Sequence, residues 1–138
     1  CATIGLNTIT GLSKEQDWEV HMIEHQLGAY TDCAHGAGLA AISIPYYKYI
    51  SPYGLGKFVR FAKNVWEIPT DTMTKEDAAN AGIEKLTAFI EELGLPLTLR
   101  ELGTTEAMLP QIANSTVQGG GYQHMTAEDI LNVLKACY

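Results

Sequence analysis

The chain is poor in positive charge and has no long apolar segment. Its 138 residues include only nine Lys and Arg against 16 Asp and Glu, which gives a formal net charge of −7. Nucleic acids and anionic membranes are bound by clustered basic side chains, so this balance argues against both as partners. No apolar run approaches the roughly 18 residues that a membrane-spanning helix requires, so we expect no membrane segment.

Cysteine is also scarce, and its placement excludes a disulfide framework. The three cysteines, Cys1, Cys33 and Cys137, are odd in number and far apart, and no two of them form a C-x-x-C pair. This usage is typical of a reduced, cytoplasmic chain. No basic segment precedes Cys1, so no signal peptide is visible.

The start of the chain lacks a methionine, a cap and a polar lead-in. Residues 1–8 (CATIGLNT) resemble the middle of a helix. We therefore expect the chain to be a piece of a longer protein. The alternative is a mature protein that has lost a processed leader.

Helical spacing dominates the rest of the sequence, and no segment shows a convincing strand pattern. We predict an all-α, bundle-like fold of about six helices joined by short loops. The predicted helices are 17–31, 35–50, 57–67, 75–93, 105–117 and a last one from Thr126 to near Ala136.

Helix ends carry recognisable signals. Asp17, Thr74 and Thr126 are placed to cap first turns, and Gly94 followed by Pro96 should end the helix over 75–93. The segment 35–50 is apolar almost throughout, which indicates a buried helix. Pro45 inside it should bend or interrupt that helix because proline removes a backbone donor.

The candidate chemistry is concentrated in one stretch with three of the four histidines, His21, His25 and His35. His21 and His25 are four residues apart and share a helix face, and His35 opens the next segment with a small-residue run. Asp17 also precedes His21 by four residues, but Asp17 and His25 would lie about 12 Å apart along a straight helix. Asp17 and both histidines therefore cannot share one ion.

The sequence leaves three interpretations of these histidines open. They could bind a metal, because neutral imidazole is a common ligand of zinc and non-haem iron. They could instead belong to a small helical binding module in which they only pack or hydrogen-bond. A self-contained metal site would need further ligands, and only Glu24, Asp32 and Cys33 are near. Glu24 is expected to be a solvated residue or the partner of a ligand, and Cys33 a small packed residue.

The strings HMIEHQLGA at 21–29 and CAHGAGLA at 33–40 resemble the signature of the iron-containing (group III) alcohol dehydrogenases. Residues 7–11, Asp17, Trp18 and the tyrosines at 46 and 47 near Pro45 are similar to the NADH-dependent butanol dehydrogenase branch. The resemblance implies a two-domain enzyme whose all-helical C-terminal domain corresponds to residues 1–138. It also implies that the NAD(P)-binding domain and the first helices of the helical domain lie outside this chain.

The resemblance further implies a site and a reaction. His21 and His35 match two of the family's four metal ligands, and the metal would be Fe(II) or Zn(II). His25 matches a residue near the nicotinamide that is implicated in proton transfer, so it is the candidate catalytic and cofactor-binding residue. The expected reaction interconverts small primary alcohols such as butanol and aldehydes with NAD(P)H, in a protein expected to be a homodimer. The 138-residue chain alone is expected to be inactive.

Overall fold

The computed structural model describes residues 1–3, 5–6 and 16–138, and it is all-α over those ranges. Six α-helices of seven or more residues follow one another in the described part. They are α1 (Glu19–Thr31), α2 (His35–Ile50), α3 (Leu55–Trp66), α4 (Lys75–Glu92), α5 (Leu109–Ser115) and α6 (Ala127–Ala136). The all-α prediction and the number of helices are confirmed. The helix expected over residues 1–8 lies partly outside the described residues.

Most helix ends match the signals in the sequence. The Thr74 Oγ1 accepts a hydrogen bond from the Asp77 N–H at 3.0 Å at the start of α4. At the start of α6, the Asp129 carboxylate accepts from the Thr126 N–H at 2.9 Å, and Thr126 Oγ1 accepts in return. Gly94 adopts the left-handed conformation, with φ at +67°, just beyond the end of α4. These reciprocal caps fix where α4 and α6 begin and where α4 stops.

The structure decides two details of the predicted helices. Of the two effects predicted for Pro45, the interruption is wrong, because α2 runs from His35 to Ile50. Proline costs it only the backbone bond that residue 45 would have donated. The helix expected over 105–117 is divided into a 3₁₀ turn, Glu106–Met108, and the seven-residue α5. Pro110 stands in the first turn of α5, where a missing N–H is tolerated.

Helix α2 is the central element, because it packs against α1, α4 and α6. The main core lies between α1, α2, α5 and α6 and includes Ile23, Leu27, Ile42, Ile112 and Ile130. A smaller core joins α2 to α4 through Ala40, Ile44, Ile83 and Ile90. Among the described residues, no helix combines the length and the hydropathy needed to cross a bilayer.

Candidate metal centre

The three clustered histidines meet at one end of the α1–α2 pair. The ring centroids of His21 and His35 lie 5.3 Å apart, those of His25 and His35 5.8 Å, and those of His21 and His25 6.2 Å. The structure thus brings together the three histidines that the sequence singled out. We call His21, His25 and His35 the histidine cluster.

A three-residue connection places His35 beside α1. Helix α1 ends at Thr31, and the next residue, Asp32, adopts the left-handed conformation with φ at 55° and donates its N–H to the Gly28 carbonyl at 2.8 Å. Ala34 is extended and precedes His35, the first residue of α2. The turn therefore reverses the chain so quickly that the start of α2 lies against the middle of α1.

Glu24 is the residue whose environment the sequence did not resolve. It is only 2% exposed, so the expectation that it is solvated is wrong. Its Oε2 contacts the Nδ1 of His35, which agrees with the alternative that it partners a ligand. Helical spacing gave only a weak signal for this, because it places Glu24 three residues after His21 on one helix face but does not relate Glu24 to His35 on the next helix.

The small residues of the connection make room for Glu24. A Cβ built on Gly38 would lie 2.8 Å from Glu24 Cγ and 3.0 Å from Oε1, which is closer than real Cβ atoms approach. On α1, a Cβ on Gly28 would reach the same carboxylate at 3.5 Å, an ordinary contact. The glycine in the HGAG run is thus required by a neighbouring side chain and not only by the turn.

Two residues of the histidine cluster and Glu24 together offer a ligand set for a divalent metal. One ligand atom each from Glu24, His25 and His35 lies within 4.8 Å of the other two, so these atoms could converge on one ion. Nitrogen and oxygen donors of this kind suit Fe(II) and Zn(II). His21 is not in this set of three, although its ring lies close to both other histidines. The assignment of His21 and His35 as the two ligands therefore stays a prediction.

The environment of His21 favours its neutral form. Partial burial lowers the pKa of His21, and the nearby His35 and His25 lower it further. Trp18 packs edge-on against the same ring at a centroid distance of 5.2 Å. Trp18 is 36% exposed and borders the histidine cluster. A neutral imidazole is the form that can bind a metal.

Asp17 has two partners at the start of α1. Its Oδ1 accepts the Glu19 N–H at 3.0 Å, so it does satisfy a donor of the first turn, as expected. Its Oδ2 accepts the Tyr46 hydroxyl at 2.7 Å, a contact that the sequence did not predict. Burial and this hydrogen bond raise the pKa of Tyr46. Asp17 thereby joins the start of α1 to the middle of α2.

A cavity of about 640 Å³ opens beside His21 and extends between α2, α3 and α4. Most of its lining is apolar. It includes Leu39, Tyr47, Phe58, Phe61, Ile83 and Leu86. Tyr46 and Tyr47 of α2 also line this cavity.

The remaining candidates have structural positions. His124 is exposed in the loop before α6, as expected for a solvated loop residue. Cys33 is half-buried and packs against the main core, and Asp32 is exposed. Neither belongs to the set of ligand atoms that converge in the described residues.

Comparison with known proteins decides the family. The model of the Fe-containing alcohol dehydrogenase family, C-terminal, matches residues 4–138, which is nearly the whole chain. The chain belongs to the iron-containing alcohol dehydrogenase family. Within this family, it is 33% identical over 143 aligned residues to NADH-dependent butanol dehydrogenase A of Clostridium acetobutylicum, covering 99% of the chain and 36% of the relative.

Further relatives agree with this assignment. The chain is 28% identical to the NADPH-dependent aldehyde reductase YqhD of Escherichia coli, over 99% of the chain and 35% of the relative. The crystal structure of E. coli K-12 YqhD superposes with a TM-score of 0.87 at 25% identity, covering 99% of the chain and 36% of that structure. The chain thus spans about a third of the length of these iron-containing dehydrogenase relatives, and it matches the C-terminal, helical part of the family.

Proposed function

We propose that residues 1–138 form part of the helical metal-binding domain of an NAD(P)H-dependent alcohol dehydrogenase. The reaction interconverts small primary alcohols such as butanol and the corresponding aldehydes by hydride transfer. The observation that carries this proposal is the convergence of three imidazoles from α1 and α2 in a chain of the iron-containing family. The relatives support both directions of the reaction, since one is named a butanol dehydrogenase and another an aldehyde reductase.

His21 and His35 would hold a divalent metal, Fe(II) or Zn(II), together with ligands from outside the described residues. When bound, the metal supplies Lewis-acid stabilisation of negative charge on the substrate oxygen. The lowered pKa of His21 keeps its ring neutral and available as a ligand near neutral pH. Both His25 and His35 are exposed, so the histidine cluster faces outward, where the rest of the site would complete it.

His25 would contact the nicotinamide and transfer a proton. Its ring lies 5.8 Å from that of His35 and 6.2 Å from that of His21, so it would stand close to a metal held by those two residues. An imidazole exchanges protons readily near neutral pH, because its ordinary pKa is close to 6.5. NAD(P)H itself would be bound mainly by a separate domain that lies outside this chain.

The cavity beside His21 supports an apolar substrate. Side chains of α2, α3 and α4 line it, and they offer aliphatic and aromatic surface to a hydrocarbon tail. A tail held there would leave the hydroxyl end of an alcohol near the histidine cluster. This arrangement favours simple primary alcohols and aldehydes over strongly polar substrates.

Metal binding by the 138-residue chain is the first test. We expect weak Zn(II) binding that is lost in His21→Ala/His35→Ala and retained in His124→Ala, which removes an exposed histidine outside the cluster. Isothermal titration at about pH 7.5, where most imidazoles are neutral, measures this. Equal affinity in all three proteins would instead support a helical binding module whose histidines are structural.

Activity and assembly provide a second test. We expect no oxidation of NADH with butyraldehyde by the 138-residue chain, because the ligands and cofactor site would be incomplete. Turnover by this chain alone would contradict the proposed division into two domains. We also expect the complete protein to be a cytoplasmic homodimer, which light scattering and cell fractionation would check.

A further inference from the structure

We propose that Glu24 is a positioning residue for His35, and this inference rests on the proposed metal-dependent function. In this arrangement the Nδ1–H of His35 donates to the Glu24 carboxylate. The Nε2 of the same ring then carries the lone pair that binds the metal. The contact between Glu24 Oε2 and His35 Nδ1 is the observation from which the inference starts.

The surroundings of Glu24 show that this contact is built into the helix pair. The side chain is 3% exposed, whereas that of His35 is 53% exposed. Burying a carboxylate is costly unless it is paired and hydrogen-bonded. Helix α2 comes so close to Glu24 that Gly38 is the residue that fits, since a Cβ there would meet Glu24 Cγ at 2.8 Å. The packing therefore holds the carboxylate where His35 can reach it.

A carboxylate in this position would act on the chemistry of the imidazole. A neutral imidazole has one N–H and one free nitrogen, and a fixed hydrogen bond to one nitrogen decides which is which. It also fixes the ring plane and makes the free nitrogen a stronger donor to a metal. Loss of such a partner costs metal affinity by about 10- to 100-fold in proteins where it has been removed.

The rival explanation is that Glu24 itself binds the metal. Its carboxylate is one of the three groups whose ligand atoms lie within 4.8 Å of one another. Two substitutions separate the explanations. The amide oxygen of Glu24→Gln can still accept from His35 Nδ1–H but is a poor replacement for an anionic ligand, whereas Glu24→Ala can do neither.

The tautomer of His35 in the metal-free 138-residue chain is the direct measurement. Long-range nitrogen–proton NMR at about pH 7.5 distinguishes the two neutral imidazole tautomers, which differ in the nitrogen that carries the proton. We expect His35 to be the Nδ1–H tautomer in the unsubstituted chain and in Glu24→Gln, and to lose this preference in Glu24→Ala. Glu19→Gln is the matched control, because Glu19 is also a buried glutamate of α1, but its carboxylate lies beside Gly119. An Nδ1–H preference that is absent, or that survives in Glu24→Ala, would overturn the proposal.

Zn(II) affinity of the same variants decides what the contact does. We expect Glu24→Ala to weaken Zn(II) binding by about 10- to 100-fold and Glu24→Gln to bind more tightly than Glu24→Ala. Equal losses in both variants would mean that Glu24 is a direct ligand, and no loss in either would remove its positioning role. If Zn(II) binding does not depend on His21 and His35 at all, the proposed function fails. The tautomer of His35 in the metal-free chain would still show whether Glu24 accepts a hydrogen bond from His35, because that measurement does not depend on Zn(II).

Discussion

Helices α1 and α4 differ in the burial of their acidic side chains. Helix α1 buries Glu19 and Glu24 to 1% and 2% exposure. Helix α4 carries more acidic residues, and all of them are exposed: Glu76, Asp77, Glu84, Glu91 and Glu92. Exposure is the ordinary outcome, because a buried carboxylate loses its hydration. Of the two buried carboxylates of α1, that of Glu24 contacts His35 of the histidine cluster, so its loss of hydration occurs beside the proposed metal site.

Each of these two helices also meets a neighbouring helix at a glycine, but the contacts differ. Gly38 on α2 makes room for the Glu24 side chain of α1, whereas Gly82 on α4 makes room for Ala62 of α3. A Cβ on Gly82 would lie 2.9 Å from the Ala62 Cβ and 3.2 Å from its Cα. The same packing device thus admits a polar group at the site and brings two backbones together in the α3–α4 pair. The four predictions below test this contrast.

The largest effect is expected in the core beneath the site. Leu27 on α1 is fully buried in the main core, whereas Leu86 on α4 is half-buried at the edge of the cavity. Leu27→Ala should lower the free energy of unfolding by about 2 to 5 kcal/mol, because it leaves a hole in a filled core. Leu86→Ala should cost about 1 kcal/mol, since it loses less buried surface. Urea denaturation measures both, and equal losses would show that the two regions are packed alike.

The second effect concerns the buried carboxylate of Glu19. Burial, and then the charge of Asp17, raise the pKa of Glu19 to about 7, compared with an ordinary 4.5. The folded chain therefore holds a proton that the unfolded chain releases above pH 4.5. The contribution of this proton on Glu19 to the free energy of unfolding is complete below pH 4.5. It declines as the pH rises and is lost once the pH passes about 7.

Glu19→Gln should remove this part of the pH dependence. The free energy of unfolding of the variant should exceed that of the unsubstituted chain by an amount that grows from pH 5 to pH 8 and reaches about 1 to 3 kcal/mol. Glu84→Gln changes an exposed glutamate of α4 and should alter stability by less than about 0.5 kcal/mol. Unfolding free energies measured across this pH range test the prediction, and parallel curves for the chain and Glu19→Gln would contradict it.

The third effect is loss of close packing between α3 and α4. Gly82→Ala should destabilise the chain by about 1 to 3 kcal/mol, because the new methyl group meets the Ala62 backbone. It should leave Zn(II) affinity unchanged. Adding Ala62→Gly relieves the clash, so a double-mutant cycle should show favourable coupling between the two substitutions. Purely additive effects would show that the two positions do not share this contact.

The smallest effect on stability is expected for Gly38→Ala, which should also weaken Zn(II) binding. The new methyl group meets the Glu24 side chain and not backbone, so the unfolding free energy should fall by only about 1 kcal/mol. Displacement of Glu24 should weaken Zn(II) binding by about tenfold. Calorimetry on Gly36→Ala is the control, because a Cβ on Gly36 meets nothing within 4 Å. Unchanged Zn(II) affinity in Gly38→Ala would argue that α2 need not approach Glu24 so closely.

Helix positions could be predicted from the sequence because their signals are local. The Thr74–Asp77 and Thr126–Asp129 pairs and Gly94 act within one or two turns, and the structure contains each of them. Pro45 does not interrupt α2, because its neighbours Ile44 and Tyr46 are buried and the contacts around them hold the helix together. Tertiary packing outweighed the local penalty of proline there.

The sequence by itself determined the all-α class, the family signature and the three histidines that would meet. Periodicity and the short connection before His35 sufficed, because neighbouring turns and adjacent helices have few possible arrangements. Only the tertiary structure decided that Glu24 is buried against His35, that Asp17 reaches Tyr46, and that a cavity opens beside His21. Those features depend on how closely α1 and α2 approach and how α3 and α4 lie across α2. Such distances are set by packing between helices, which no spacing within one helix encodes.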